Sequence, residues 1–231
     1  MSIKYLLSLF KHLIWPRYCP VCGRLGVSCC PECLESLVNP FPLFSIQNGS
    51  YYNSKSDEPL PNGYCYALTE YIGSSRSLVL NLKYRNCRDI APMMGRLIAI
   101  NAPSVVADCI IPVPLHKNSV RMYNQTFLIA KGISEVLKIP VADIAEWNYD
   151  IPSRASQRGK RSRFLPGDMF KINSSIEGKH VILVDDVYTT GGTLAAFQNS
   201  VERQNASVSL AVVWGKRLLT DTISSLESNN N

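Results

Sequence analysis

The sequence has few charged residues and no long hydrophobic run. Charged side chains make up 18% of the 231 residues and apolar side chains 46%; the charged fraction of soluble domains averages about 25%. No stretch approaches the ~20 uncharged apolar residues that a membrane-spanning helix needs. These shortages exclude a disordered chain, a coiled coil and an integral membrane protein. The apolar fraction is enough for one sizeable core.

The apolar segment from Ile3 to Trp15 lacks the features of a secretion signal. Lys11 and His12 interrupt it, and Trp15-Pro16-Arg17-Tyr18 offers no small-residue cleavage site. We therefore expect a short amphipathic helix that packs on the core or lies on a membrane surface. The expected location is the cytoplasm, near the inner face of the membrane.

Positive charge is concentrated in the middle of the chain. Residues 76–180 carry sixteen basic and eight acidic side chains, while the whole chain has a net charge of +6. Such a surface attracts polyanions. Residues 154–164 hold five basic side chains and no acidic one. We expect this segment to be a loop that binds either pyrophosphate or a sugar-phosphate backbone, with ordinary solvated side chains as the third interpretation.

Five of the eight cysteines lie within fifteen residues of one another. Cys19-x-x-Cys22 and Cys30-x-x-Cys33 form two pairs with the spacing of tetrahedral zinc sites. We predict that these four cysteines hold a structural zinc ion. Cys29 is the spare, because only Cys30 has the two-residue spacing to Cys33. The spacing leaves a disulfide pair or an iron–sulfur cluster as the alternative.

Strand and helix patterns alternate from residue 108 onward, which is typical of a parallel α/β sheet. The expected strands are Tyr64–Tyr71, Cys109–Pro114, Ile139–Ile144, His180–Asp185 and Val208–Trp214; the expected helices are Ser75–Tyr84, Ile90–Asn101, Asn124–Leu137 and Thr193–Gln204. Residues rich in Pro, Ser, Asn and Gly precede the first strand. We therefore divide the chain into a zinc-binding module with an N-terminal helix (1–40), a linker (41–62) and a sheet domain (63–231).

The sharpest pattern is a buried strand followed by two carboxylates and a loop of threonine and glycine. Asp185 and Asp186 end the strand, and a helix follows Thr189, Thr190, Gly191, Gly192 and Thr193. The N–H groups and hydroxyls of such a loop surround one small volume at the positive end of the helix dipole, which suits a phosphate monoester. The lysine of a P-loop is missing. Carboxylates that hold a vicinal diol or Mg²⁺ beside that phosphate describe a phosphorylated ribose.

At these residues the chain resembles the PRPP-binding motif of type I phosphoribosyltransferases. With the cysteine pairs, Lys83-Tyr84, Pro112-Val113-Pro114-Leu115, Tyr123-Asn124-Gln125 and Gln157, it resembles the ComF/GntX family of competence-associated phosphoribosyltransferase-like proteins. This likeness extends over nearly the whole chain. It implies a type I phosphoribosyltransferase-like parallel sheet flanked by helices, with a small N-terminal zinc module built on four cysteines.

The resemblance also implies roles in PRPP binding. Asp185 and Asp186 would bind the ribose diol, directly or through Mg²⁺, and would be the catalytic pair if the protein is an active enzyme. Residues 189–193 would hold the 5′-phosphate. Lys117 and Arg121 would offer positive charge to the pyrophosphate.

The remaining basic residues fall into two groups. Lys83 and Arg85 are weaker candidates for the same pyrophosphate. The expected contacts with a nucleic-acid backbone come from Arg158, Lys160, Arg161, Arg163 and Arg121.

The resemblance implies a competence factor that handles incoming single-stranded DNA during natural transformation. Its partners would include competence proteins, among them a DNA-translocating helicase. The alternative is an active phosphoribosyltransferase with an unknown acceptor, and a PRPP-sensing regulator is a third function. The sequence reads Arg121-Met122-Tyr123-Asn124-Gln125 where the family has Arg-Gly-Phe-Asn-Gln, and this departure argues against transferase chemistry.

Overall fold

A computed structural model describes residues 17–52, 60–119, 121–148 and 169–218. Their helices and strands follow one another as α1 (Pro31–Glu35), β1 (Phe44–Ser45), β2 (Tyr64–Glu70), α2 (Gly73–Tyr84), α3 (Ile90–Asn101), β3 (Cys109–Pro112), α4 (Gln125–Leu137), β4 (Ala145–Trp147), β5 (Phe170–Ile172), β6 (His180–Tyr188), α5 (Gly192–Glu202) and β7 (Ser207–Lys216).

The central sheet has five strands in the order β1-β2-β7-β6-β3. The last four are parallel, and β1 adds to β2 in the antiparallel direction. Strands β6 and β7 are apolar over most of their length because helices cover both faces of the sheet. The carboxyl ends of parallel strands share one edge, which is where ligands bind in open α/β sheets. The predicted parallel sheet flanked by helices is confirmed.

Each face of the sheet has its own apolar core. Helices α2, α3 and α4 cover one face with buried residues such as Leu82, Met94 and Ile129. Helix α5 covers the other face, where Phe197 packs near Phe44 and other buried side chains. Within the described ranges, no helix combines the length and the apolar character needed to cross a bilayer.

The cysteine-rich segment packs onto the first of these cores. Cys19, Cys30 and Leu34 are buried in the same cluster as the side chains of α2 and α3. Two hydrogen bonds fix the contact: Ser28 Oγ donates to Asp89 Oδ1 at 2.9 Å, and Ser74 Oγ donates to the Pro20 carbonyl at 3.1 Å. The segment is therefore docked against the helices that precede β3.

Two expectations about secondary structure differ from the structure. The predicted linker contributes β1, and its Phe44 and Ile46 are fully buried. The polar residues of this segment suggested a loop, but apolar residues alternate with them and enter the core. The expected strand Ile139–Ile144 forms only a single parallel bridge, from Val141 to Ile110. The strand of this region lies further along the chain, as β4, which pairs with β5. The domain boundaries stay a prediction.

Helices α3 and α4 cross so closely that only glycine fits at the contact. A β-carbon on Gly95 would lie 2.9 Å from the Ile133 nitrogen and against the Ile129 carbonyl; one on Gly132 would strike the Pro92 carbonyl. We expect Gly95→Ala to lower the free energy of unfolding by about 1–3 kcal/mol, because the backbones must separate. Urea unfolding measures this loss. Lys131→Ala, an exposed change on α4, is the matched control, and an equal effect of both variants would contradict the packing.

Candidate functional site

The loop between β6 and α5 forms a small concavity at the carboxyl edge of the sheet. Asp185, Thr189, Gly192 and Thr193 are among the residues that line it. Gly191 begins the helix with φ of 78°, a left-handed conformation that favours glycine. A β-carbon there would lie 2.8 Å from the Ile46 carbonyl oxygen and against the Tyr188 hydroxyl. Only glycine therefore fits at position 191, where the loop passes close to residues 46 and 188.

The two neighbouring carboxylates have different surroundings. Asp185 is half-buried and lines the concavity, and its Oδ1 accepts a hydrogen bond from the Asp186 N–H at 2.8 Å. Asp186 is 4% exposed and points to the other side of the strand. Its Oδ1 accepts from Lys83 Nζ at 2.8 Å, and its Oδ2 accepts from Gln125 Nε2 at 2.7 Å. Of the two, Asp185 is the one that a ligand in the concavity meets.

Lys83 stays protonated beside these carboxylates. Burial alone would lower the pKa of Lys83, but the Asp186 carboxylate at 2.8 Å, with Asp185 behind it, raises that pKa above its usual value. The sequence offered Lys83 as a weak candidate for binding pyrophosphate. The structure instead gives it a carboxylate partner, so this lysine neutralises the charge of Asp186.

Tyr123, Asn124 and Gln125 tie the surrounding loops together. The Tyr123 hydroxyl donates to the Leu82 carbonyl at the end of α2. Asn124 Oδ1 accepts from the Thr126 N–H at 3.1 Å and caps α4, while Asn124 Nδ2 donates to the Val113 carbonyl at 3.1 Å. Together with the bond from Gln125 to Asp186, these contacts join α2, α4, β6 and the segment after β3.

The other predicted anion-binding residues lie on the segment that follows β3. Lys117 is exposed, and Arg121 is half-buried with its Nε bonded to Ser119 Oγ at 2.9 Å. Arg121 Nη1 is buried and has no hydrogen-bond partner among the described residues. Its positive charge opposes the protonation of Lys83, which places it near that group. The remaining predicted nucleic-acid contacts lie outside the described ranges; they are Arg158, Lys160, Arg161 and Arg163.

Sequence reasoning missed Lys216, at the end of β7. Its Nζ lies 3.8 Å from the ring centroid of Phe44 and 4.0 Å from that of Tyr51, and the side chain is almost fully buried. Burial lowers the pKa of Lys216 to about 8, while the ring faces favour the ammonium form. Lys216 is paired with Tyr188 in the sheet, and its ammonium group holds Phe44 and Tyr51 beside the strand end that leads into the loop before α5. A lysine in a strand carries no sequence signal for such a role.

The four predicted ligand cysteines come together at the start of the described chain. The sulfurs of Cys19, Cys22, Cys30 and Cys33 lie within 4.8 Å of one another, and Cys22 and Cys30 are 3.7 Å apart. A tetrahedral ion with metal–sulfur bonds of about 2.3 Å requires sulfurs about 3.8 Å apart. The four residues therefore fit a metal ion. Cys29 Sγ lies outside this group, 3.9 Å from Cys19 Sγ.

The cysteine backbone already favours a negative charge at one sulfur. Burial alone would raise the pKa of Cys19, but the N–H groups of Cys22, Cys30 and Val21 point at its sulfur and lower that pKa to about 6. The pKa of Cys33 rises to about 12, chiefly because its thiol is hydrogen-bonded to the Cys22 sulfur. The four thiols thus share their remaining protons, and a bound metal dication would displace those protons.

Comparisons with known proteins agree with the resemblance to phosphoribosyltransferases that the sequence indicated. The family described as phosphoribosyl transferase domain matches residues 124–228, which include the predicted phosphate loop. A DNA utilization protein, YhgH of Escherichia coli (strain K12), is 24% identical over 216 residues, covering 85% of this chain and 88% of the relative. The chain is thus similar to phosphoribosyltransferase domains over residues 124–228, and to a DNA utilization protein over most of its length.

Two further proteins are similar to parts of this chain. The hypoxanthine/guanine phosphoribosyltransferase of Methanocella arvoryzae is 30% identical over 98 residues, 40% of this chain and 50% of the relative. The adenine phosphoribosyltransferase of Thermoanaerobacter pseudethanolicus superimposes with a TM-score of 0.40 and 14% identity over 82% of this chain and all of that one. The fold assignment rests on the strand order and the family match rather than on this superposition.

The ion pair of Lys83 with Asp186 yields a stability prediction. We expect Lys83→Met to lower the free energy of unfolding by about 3–5 kcal/mol, because it leaves the Asp186 carboxylate buried without its cation. Adding Asp186→Asn should recover much of that loss. Because the pKa of Lys83 is raised on folding, its contribution is full below about pH 10.4 and is lost as the pH rises through the folded value.

Urea unfolding of both variants tests this prediction. Arg96→Met is the matched control, since the exposed pair of Arg96 with Glu135 at 2.7 Å should contribute less than about 1 kcal/mol. Equal losses for Lys83→Met and Arg96→Met would contradict the buried junction.

The cysteine cluster yields a prediction about metal content. Cys30→Ser with Cys33→Ser should release the bound metal and unfold the module, because two thiolate ligands are gone. Cys29→Ser should keep the metal, since its sulfur lies outside the group of four. Elemental analysis of the purified variants measures this difference. Metal retained in the double variant, or lost from Cys29→Ser, would refute the ligand set.

Proposed function

We propose that this protein binds PRPP with Mg²⁺ at the carboxyl edge of its sheet and handles incoming single-stranded DNA in natural transformation. The observation that carries the first part is the concavity at the start of α5, whose lining includes Asp185, Thr189 and Thr193. The N–H groups at a helix start favour the 5′-phosphate. The Asp185 carboxylate beside them is suited to the ribose diol.

Asp185 and Asp186 have different roles in this proposal. Asp185 contacts the ribose hydroxyls of PRPP or its Mg²⁺, which the carboxylate oxygens of this site suit as ligands. Asp186 already accepts hydrogen bonds from Lys83 and Gln125, so it positions the strand end rather than the ligand. Lys117 and Arg121, on the segment after β3, supply positive charge to the pyrophosphate.

The DNA part of the proposal is supported by the relatives and by charge. The Escherichia coli relative is named a DNA utilization protein and covers most of this chain. Residues 76–180 carry a large excess of basic side chains, and phosphate contacts dominate the affinity of proteins for nucleic acids. Arg158, Lys160, Arg161, Arg163 and Arg121 remain proposed contacts. A cytoplasmic location and association with competence proteins, including a DNA-translocating helicase, complete the proposal.

The metal of the cysteine cluster is proposed to be zinc with a structural role. Four thiolates are typical of structural zinc sites and leave no coordination position for a substrate. The docking of this segment on α2 and α3 supports the same role, because the metal would hold a small segment whose Cys19 and Leu34 complete the core.

An active phosphoribosyltransferase is the second candidate function. The match of residues 124–228 to the transferase domain family, with a phosphoribosyltransferase from Methanocella arvoryzae among the relatives, favours it. Release of pyrophosphate from PRPP in the presence of a nitrogen acceptor would distinguish this enzyme from a protein that only binds PRPP.

Substitutions of the two carboxylates test the PRPP site. We expect Asp185→Asn to weaken the binding of PRPP with Mg²⁺ about 10- to 100-fold, because hydrogen bonds to a charged group are lost. The free energy of unfolding should fall less than with Asp186→Asn, because Asp185 is half-buried and the amide can still accept the Asp186 N–H. Asp186→Asn should lower that free energy more, since it breaks the bond to Lys83.

Isothermal calorimetry with PRPP and Mg²⁺ measures the affinity, and urea unfolding measures stability. Asp143→Asn, which removes an exposed carboxylate before β4, is the control and should change neither. Binding of PRPP to Asp185→Asn with the affinity of the unchanged protein would reject the proposed site.

A further inference from the structure

A strip of arginine and tyrosine side chains lies where the cysteine module meets the turn between α2 and α3. It consists of Arg17, Tyr18, Tyr84, Arg85 and Arg88, and we call it the arginine–tyrosine strip. Tyr84 is 70% exposed and Tyr18 41%, and the three arginines are exposed as well. Tyrosine rings and guanidinium groups in one place offer both stacking faces and positive charge.

Cation–π contacts fix two of the arginines of the strip. The guanidinium of Arg85 lies 6.0 Å from the ring centroid of Tyr18, so the turn and the cysteine module meet here. The guanidinium of Arg88 stacks 4.4 Å from the ring centroid of Tyr123, whose hydroxyl bonds the last turn of α2. That turn carries Lys83, the partner of Asp186. The strip therefore lies next to both the cysteine module and the end of α2 that carries Lys83.

The Asn86 side chain holds Arg88 in place without neutralising its charge. Arg88 Nε donates to Asn86 Oδ1 at 2.7 Å, and Asn86 has a φ of 56°. Asp89 Oδ1 accepts from Ser28 and lies 3.9 Å from Arg17. Within the described ranges, Arg85 and Arg88 form no ion pair with a carboxylate. Their charges are thus available to an anionic partner.

We propose that the arginine–tyrosine strip binds single-stranded nucleic acid and leads it toward the carboxyl edge of the sheet. This inference rests on the proposed DNA-handling function and assigns it a surface distinct from residues 158–163. Guanidinium groups bind backbone phosphates, and tyrosine faces stack on unpaired bases. An acidic protein segment would pair with the guanidinium groups but would not stack on the tyrosine rings. A duplex keeps its bases stacked inside, so the rings would add nothing to its binding.

The test is fluorescence anisotropy with a labelled oligothymidylate of about 20 nucleotides, with several salt concentrations and a duplex of the same length. Arg85→Gln with Arg88→Gln should weaken binding at least tenfold and reduce the slope of log affinity against log salt by about 1.4, since two phosphate contacts are lost. Lys131→Gln with Lys179→Gln removes the same charge from exposed sites elsewhere and should have little effect.

A second pair of variants isolates stacking from charge. Tyr84→Ala should weaken binding about 5- to 100-fold with an unchanged salt slope, because one stacked base is lost. Tyr84→Phe keeps the ring and should bind like the unchanged protein. Far-UV circular dichroism and urea unfolding of all four variants confirm that each one is folded.

The outcomes separate this inference from the function on which it rests. If the unchanged protein binds the single strand and the strip variants bind it equally well, the strip is refuted and the DNA-handling function stands. If the unchanged protein binds no single strand, that function fails and the strip fails with it. Equal binding of the duplex, or displacement of the oligonucleotide by polyglutamate at equal charge, would overturn the strip as a single-strand site.

Discussion

The carboxyl edge of the sheet depends on the contacts that the buried Asp186 carboxylate makes. A charge in an apolar interior must be paired and hydrogen-bonded, and here Lys83 from α2 and Gln125 from α4 meet that requirement together. One residue of β6 therefore fixes the ends of two helices that are distant in sequence. The neighbouring Asp185 is left facing the concavity, so the same strand end is both anchored and able to meet a ligand.

The proposed phosphate-binding loop is supported from behind by residues that the sequence predicted to form a linker. No side chain would fit at Gly191, because a β-carbon there would collide with Tyr188 and the Ile46 carbonyl. The Tyr188 hydroxyl donates to that carbonyl at 3.2 Å. Lys216 holds Phe44 and Tyr51 against the same strand ends through its ammonium group. Rigid support of this kind preorganises the N–H groups that a phosphate would need, so little ordering is left for the moment of binding.

Local patterns predicted most strands of the sheet, the position of the loop between β6 and α5 and the grouping of four cysteines, because each of these elements depends on residues close together in sequence. The contacts that span long distances could not be predicted in this way. Lys83 is 103 residues from its partner Asp186, and nothing near Lys83 indicates a buried carboxylate. The same holds for Phe44, whose polar neighbours suggest a loop although the side chain is fully buried. Lys216 has the pattern of an ordinary charged residue at a strand end, and only the folded chain places three rings around it.

The most direct test of the account is a crystal structure of the protein with PRPP and Mg²⁺. We expect the 5′-phosphate on the N–H groups of the loop from Thr189 to Thr193, with Asp185 at the ribose hydroxyls or the metal ion. Asp186 should remain bonded to Lys83 and Gln125 in that complex. A PRPP molecule bound elsewhere, or a ribose held by Asp186 after it has left Lys83, would contradict the division of roles between the two carboxylates.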